Sequence, residues 1–324
     1  MESSGGLPSS MTQKKMTKQL TRKKDDTPLL FAARAGDLDA VMEILTGTRE
    51  EELKGLLEKQ NQSGETALYV AVQYGNVGVV REMIKYYDLA GAGIKARNGF
   101  DAFHVAAKRG DLEILRVLME VHPELSMTVD LTNTTALHTA ATQGHIEIVN
   151  FLLDSGSSLA TIAKSNGKTA LHSAARNGHL EVVRALLTVE RGIANRKDKK
   201  GQTALHMAVK GQNVVVVEEL IHAEPSSINM VDTKGNSALH IATRKGRTQI
   251  VMQLLQHGET DMKAVNRTGE TALDTAGKTG HPEIGVILQE HGCQSAKIIK
   301  PQEKNPGREL KQTKGLTMPS TRQP

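Results

Sequence analysis

The sequence predicts an all-α solenoid of about eight helix–turn–helix repeats joined by β-hairpin-like loops, and three observations predict it. A four-residue signature recurs along the chain at a spacing that settles to 34 residues. A glycine follows nine residues after the start of every copy but one. Aromatic residues make up only 2% of the 324 residues, with no Trp, which suits short helices packed through Ala, Leu and Val better than a bulky enzyme core.

The signature begins at Thr27, Thr66, Asp101, Thr135, Thr169, Thr203, Ser237 and Thr271, so the spacings are 39, 35 and then 34 five times. Thr135, Thr169 and Thr203 each open Thr-Ala-Leu-His, and Ser237 opens Ser-Ala-Leu-His. Thr, Ser and Asp are residues that cap the free N–H groups of a first helical turn. Small residues such as Ala174 and Ala175 then let a neighbouring helix approach. The glycines nine residues on (Gly36, Gly75, Gly110, Gly144, Gly178, Gly246, Gly280) suit the left-handed residue that ends a helix. In the sixth copy Gly211 comes one position early and Gln212 occupies that slot. A second amphipathic helix follows, as in Leu180–Leu187, with apolar residues at helical spacing.

A polar loop such as Asn195–Gly201 leads to the next copy. Two residues before the helix opens stands Gly in six copies, and Asp25 or Asn133 in the other two. Asn and Asp tolerate positive φ better than other side chains, so one turn geometry is expected throughout. The first copy carries five extra residues, and Arg49–Glu58 is expected to form an added helical turn or short helix. The second helix of the last copy is expected to be weakened by Pro282 and Gly285. Residues 25–293 thus form the repeat domain, between a basic N-terminal arm (1–24) and a basic C-terminal tail (294–324), both expected to be disordered.

The Thr-Ala-Leu-His-x-Ala pattern resembles ankyrin repeats. Tetratricopeptide repeats share the period but call for a Trp that is absent here. Segments such as "IKARNGFDAFHVAAKRG", "NTTALHTAATQGHIEIVNFLL" and "KGQTALHMAVKGQNVVVVEELI" are similar to the cytosolic part of plant ankyrin-repeat membrane proteins of the PGG type. That family is associated with salt-stress and defence signalling, so the resemblance implies a non-enzymatic scaffold there. The stretch "NPGRELKQT" leads toward a membrane domain in the family, whereas this chain ends at Pro324. The expectation is therefore a truncated or alternatively spliced form, cytoplasmic as written, with longer relatives at the plasma membrane. A second reading is a nuclear ankyrin-type regulator that uses the basic tails.

Chemistry-bearing motifs point away from catalysis. No His-Glu-x-x-His, phosphate-binding loop or Gly-x-Ser-x-Gly is present. His104, His138, His172, His206 and His240 recur with the repeat, and the spacing between repeats is too large for one metal ion to bridge two of them. They read as structural residues bonded to the adjoining loop. Cys293 is the sole cysteine, so no internal disulfide forms. No cofactor, metal or specific nucleic acid is expected, no stretch is apolar enough to span a membrane, and the chain is expected to be a monomer.

The charge pattern is more informative. Residues 1–24 carry six bases and one acid, and residues 294–324 seven bases and two acids. With +5 for the whole chain, the repeat body is left at −5. In ankyrin arrays, loop tips and late positions of the first helix face the concave side. In copies three to eight those positions hold Arg97, Lys108, Arg109, Lys168, Arg176, Lys199, Lys200, Lys210, Lys234, Arg244, Lys245, Arg267 and Lys278, against one acid, Glu270. Two readings stand for this basic stripe on an acidic body: attraction of an acidic segment of a protein partner, or the Lys and Arg that ankyrin consensus favours at some of these positions for solubility and turn chemistry. Phe100, read as an exposed aromatic amid Arg97, Lys108 and Arg109, is either a hot spot for the partner or a cover for the neighbouring repeat.

Overall fold

Each signature opens a helix for a local reason. In the computed structural model, which describes residues 26–299, the side chains of Thr27, Thr66 and Asp101 accept hydrogen bonds from Leu30, Tyr69 and His104 N–H at 2.9–3.2 Å. Thr135, Thr169, Thr203, Ser237 and Thr271 form reciprocal capping boxes with His138, His172, His206, His240 and Asp274. The eight first helices are Pro28–Ala35, Ala67–Tyr74, Ala102–Arg109, Ala136–Gln143, Ala170–Asn177, Ala204–Gly211, Ala238–Arg244 and Ala272–Thr279.

These helices end where the sequence pattern requires. All seven spaced glycines have φ between 65° and 84°, and Gln212 takes the slot itself at φ 69°. Gly211 serves a different purpose. It stays helical, and a Cβ there would lie 2.1 Å from the carbonyl oxygen of Arg176, so only glycine lets the first helices of repeats five and six approach this closely.

The second helices are Leu38–Gly47, Val77–Met83, Leu112–Val121, Ile146–Ser155, Leu180–Val189, Val214–Ala223, Thr248–Gln256 and Pro282–Glu290. Each buries one stripe, such as Val182, Val183, Leu186 and Leu187. First helices pack on first helices and second on second, giving two layers with one continuous core. In the middle repeats a short 3₁₀ turn follows the second helix, at Pro123–Met127, Ser157–Thr161, Arg191–Asn195 and Pro225–Asn229. Leu125, Leu159, Ile193 and Ile228 anchor these turns in the core. Among the described residues, extended pairing is confined to one antiparallel bridge, Val129 to Thr135.

The added segment of repeat one forms the helix Glu50–Leu57, as the sequence suggested. It buries Leu57, whose carbonyl accepts a bond from the Tyr87 hydroxyl at 2.9 Å. Two expectations need correction. Pro282 does not weaken the last second helix: it sits in the first turn, where its missing N–H costs nothing, and the helix runs nine residues. The ordered chain also continues past position 293. Ala296–Ile299 forms a helical turn whose first N–H donates to Asp274 at 2.9 Å. The N-terminal arm, Asp25 and the tail beyond Ile299 lie outside the described residues.

Candidate protein-binding face

The turns aim the basic residues. In repeats six and seven, Asp198 and Asp232 each accept two backbone N–H bonds across their own turn: from Lys200 and Gln202, and from Lys234 and Asn236, at 2.8–2.9 Å. Gly201 and Gly235 supply the positive φ that closes these turns. Successive turns are stitched together by Lys199 N–H to the Asn166 carbonyl (2.9 Å), Thr233 to Lys200 (2.9 Å) and Arg267 to Lys234 (3.0 Å). With the backbone bonded inward, the side chains of Lys199, Lys200, Lys234 and Arg267 are left exposed.

A second rule governs the bases late in the first helix. The residue just before the helix opens meets the base eight positions on, within the same repeat. Arg34 is paired with Asp26, both buried. Lys108 lies over the Phe100 ring at 5.8 Å. Lys210 bonds to Gln202, Arg244 to Asn236, and Lys278 to Glu270 at 2.6 Å. Glu270, the acid in the stripe, is thereby neutralised locally, and its carboxyl is held below the usual range by the bond from Lys278. Repeat five breaks the rule, with a base at both positions, Lys168 and Arg176. Burial lowers the Lys210 pKa, with the charges of Lys168 and Arg176 adding to this and the Asp198 and Asp232 carboxylates opposing it.

Five of the thirteen bases converge. Lys200, Lys210, Lys234, Arg244 and Lys245 line one hollow of about 340 Å³ between repeats six and seven. Asp232 also lines it. Burial opposes its charge, but bonds from Asn236 and Lys234 N–H and from the Gln202 amide hold its pKa down, so its carboxylate is committed to the turn.

The other candidates are dispersed. Arg97, Lys108 and Arg109 lie on repeat three, separated from the rest by a repeat that contributes no base to the stripe. Arg109 donates to the Gln73 carbonyl at 2.6 Å and so ties two repeats together. Phe100 is not the exposed aromatic expected. It is half-buried, packs against the core and stacks on His104 with ring centroids 5.5 Å apart. The exposed apolar side chain on this face is Leu131, at 82%, in the base-free repeat four. Its signal was present in the sequence: the equivalent slot holds Arg97, Ser165, Lys199, Thr233 and Arg267 elsewhere.

The histidine column is structural. Each ring donates from Nε2 to a carbonyl 30 residues ahead: His104 to Thr134 (2.8 Å), His138 to Lys168 (3.3 Å), His172 to Gln202 (2.9 Å), His206 to Asn236 (3.2 Å) and His240 to Glu270 (3.1 Å). Burial drives the pKa of His138 down to about 3 and that of His206 to about 4, and lowers those of His172 and His240. His104 differs. Burial opposes its charge too, but the Asp101 carboxylate 2.8 Å from Nδ1 outweighs that and raises its pKa. Burial also pushes the Cys293 thiol up to about 11, which makes it a poor nucleophile. Among the described residues, no group of three or more His, Cys, Asp and Glu is placed to hold a metal. No helix among them is long and apolar enough to cross a membrane.

The family model for ankyrin repeats (3 copies) matches residues 9–90, 82–163, 157–226 and 212–298. An ankyrin repeat-containing protein of Arabidopsis thaliana is 56% identical over 124 residues, covering 38% of this chain and 24% of that protein. Ankyrin repeat-containing protein ITN1 of the same plant is 39% identical over 140 residues, again 38% of this chain and 24% of its own length. Ankyrin repeat-containing protein NPR4 of Oryza sativa subsp. japonica is 39% identical over 86 residues, covering 23% of this chain and 15% of that protein. The matched stretches therefore span about a quarter or less of these relatives' lengths.

Proposed function

Because the chain belongs to the ankyrin-repeat family, whose arrays mediate protein–protein interaction, we propose that it is a scaffold that captures an acidic segment of a partner protein. The segment lies on the face built from turns and first helices. The observation that carries this reading is the basic stripe, thirteen bases against one already neutralised acid, on a body with a net charge of −5. Such a field steers an acidic partner at long range and fixes its register at contact. Leu131, in the gap between the two basic segments, offers the partner an apolar foothold. A role in plant stress or defence signalling, on the cytoplasmic side, is part of this proposal, and the likeness to plant ankyrin-repeat proteins supports it.

Reversing Lys199, Lys200, Arg244 and Lys245 to Glu removes positive charge from exposed positions. Capture of an acidic peptide at low salt is expected to be lost, with helix content unchanged by circular dichroism. Retained capture would reject the stripe as the binding surface. Raising the salt is expected to weaken wild-type binding, since the Debye length shortens to about 10 Å at 0.1 M.

A further inference from the structure

We propose that the hollow between repeats six and seven is a seat for a phosphorylated serine or threonine within the partner's acidic segment. The inference rests on the scaffold reading above and names the chemistry of its central contact. The hollow brings together the side chains of Lys200, Lys210, Lys234, Arg244 and Lys245. A carboxylate carries one charge and two oxygens. A phosphate monoester carries close to two charges and three acceptor oxygens, a better match to several converging cations.

Three further observations favour a dianion. The acid in the wall, Asp232, accepts bonds from Lys234 N–H, Asn236 N–H and the Gln202 amide, and its single charge offsets only part of the five bases around it. Lys210 and Arg244 are held in place by Gln202 and Asn236, neutral side chains that orient the cations without quenching them. In repeats one and eight the equivalent base meets an acid, Asp26 or Glu270, and its charge is spent. Next to the hollow, repeat five instead carries a base at both positions, Lys168 and Arg176, whose charges bear on Lys210 against the partial offset of Asp198 and Asp232. Cations gathered in this way raise one another's energy, and a dianion relieves that repulsion. Arg244 supplies a planar fork suited to two phosphate oxygens, and the lysines supply point charges. The turn tips leave the hollow open along the stripe, so an extended peptide can lay a phosphorylated side chain into it while its acidic neighbours meet Lys199 and Arg267.

The test uses the full chain and two fluorescent eleven-residue peptides rich in Asp and Glu, identical except for a central serine that is phosphorylated in one. Fluorescence anisotropy is expected to show the phosphopeptide binding about tenfold tighter, as one or two additional charge-assisted hydrogen bonds provide. In Lys210→Gln/Arg244→Gln that advantage is expected to shrink to about twofold or less. In Lys199→Gln/Arg267→Gln, which removes the same charge outside the hollow, it is expected to persist. Urea midpoints of both variants, expected to match wild type, separate loss of the seat from loss of fold. Equal affinity for the two peptides overturns the phosphate seat and leaves the acidic-segment reading standing. Equal loss of the advantage in both variants overturns it too, because a diffuse field then suffices. Binding of neither peptide overturns both readings. Inorganic phosphate alone binding as tightly as the phosphopeptide overturns the assignment to a protein partner.

Discussion

At the residue scale, single positions show how far a repeat can drift from its neighbours. Ser227 occupies the slot filled by Leu125, Leu159 and Ile193 in earlier repeats, and Ile228 takes up the space one residue later, where those repeats carry Ser126, Ala160 and Ala194. The large–small order is inverted, and the hydroxyl of Ser227 is buried at 1% exposure with no hydrogen-bond partner. A buried polar group left unbonded costs about 1–3 kcal/mol. Ser227→Ala removes that cost and leaves almost no cavity, so it is expected to stabilise the array by about 1 kcal/mol in urea unfolding. A destabilised variant would show that the hydroxyl is satisfied in solution. The spacing marked the slot, but only packing revealed the inversion, because Ser and Ile are adjacent in sequence and either can point inward.

At the element scale, most of the architecture was legible in advance, since each helix is delimited by chemistry within its own 34 residues. Caps at the start and left-handed residues at the end act over three or four positions, the range that sequence patterns report. Pro282 was misread because proline is a breaker inside a helix and a good opener in its first turn, and one register position separates the two. Gly211 looked like a displaced helix terminator, yet its role is set by the neighbouring helix. Gly211→Ala gains helix propensity of about 1 kcal/mol but forces the first helices of repeats five and six apart at the Arg176 carbonyl. Overpacking of this kind costs about 1–3 kcal/mol, so net destabilisation is expected in thermal melts. A higher melting temperature would mean that the helix backbones relax freely.

At the scale of the whole molecule, the histidine column joins each repeat to the next and makes the stack sensitive to acid. His138, His172, His206 and His240 have depressed folded-state pKa values, so between about pH 6.5 and those values the unfolded chain binds more protons than the folded one. Stability is therefore lost as pH falls below about 6.5, and His138 alone, with a folded value of about 3, accounts for about 2 kcal/mol by pH 5. His104 has the opposite sign. Its pKa is raised, so its contribution is complete below about 6.5 and is lost as pH rises through the folded value. Melting temperatures measured from pH 7 to pH 4 are expected to fall, with repeats four to eight exchanging amide hydrogens before the junction of repeats three and four. A flat profile would show that the rings stay accessible to protons in the fold.

The sequence by itself determined the solenoid, its repeat count, the helix caps and the left-handed turn positions. All of these follow from interactions within a repeat or from the strict period that copies them. Only the tertiary structure decided which bases converge in the hollow, that Phe100 is half-buried while Leu131 stands out, and that Arg109 is tied to the preceding repeat. The hollow and the Arg109 tie both depend on groups 30 or more residues apart. The period puts such residues in register, but which of them pair, repel or point outward is settled by packing between neighbouring repeats.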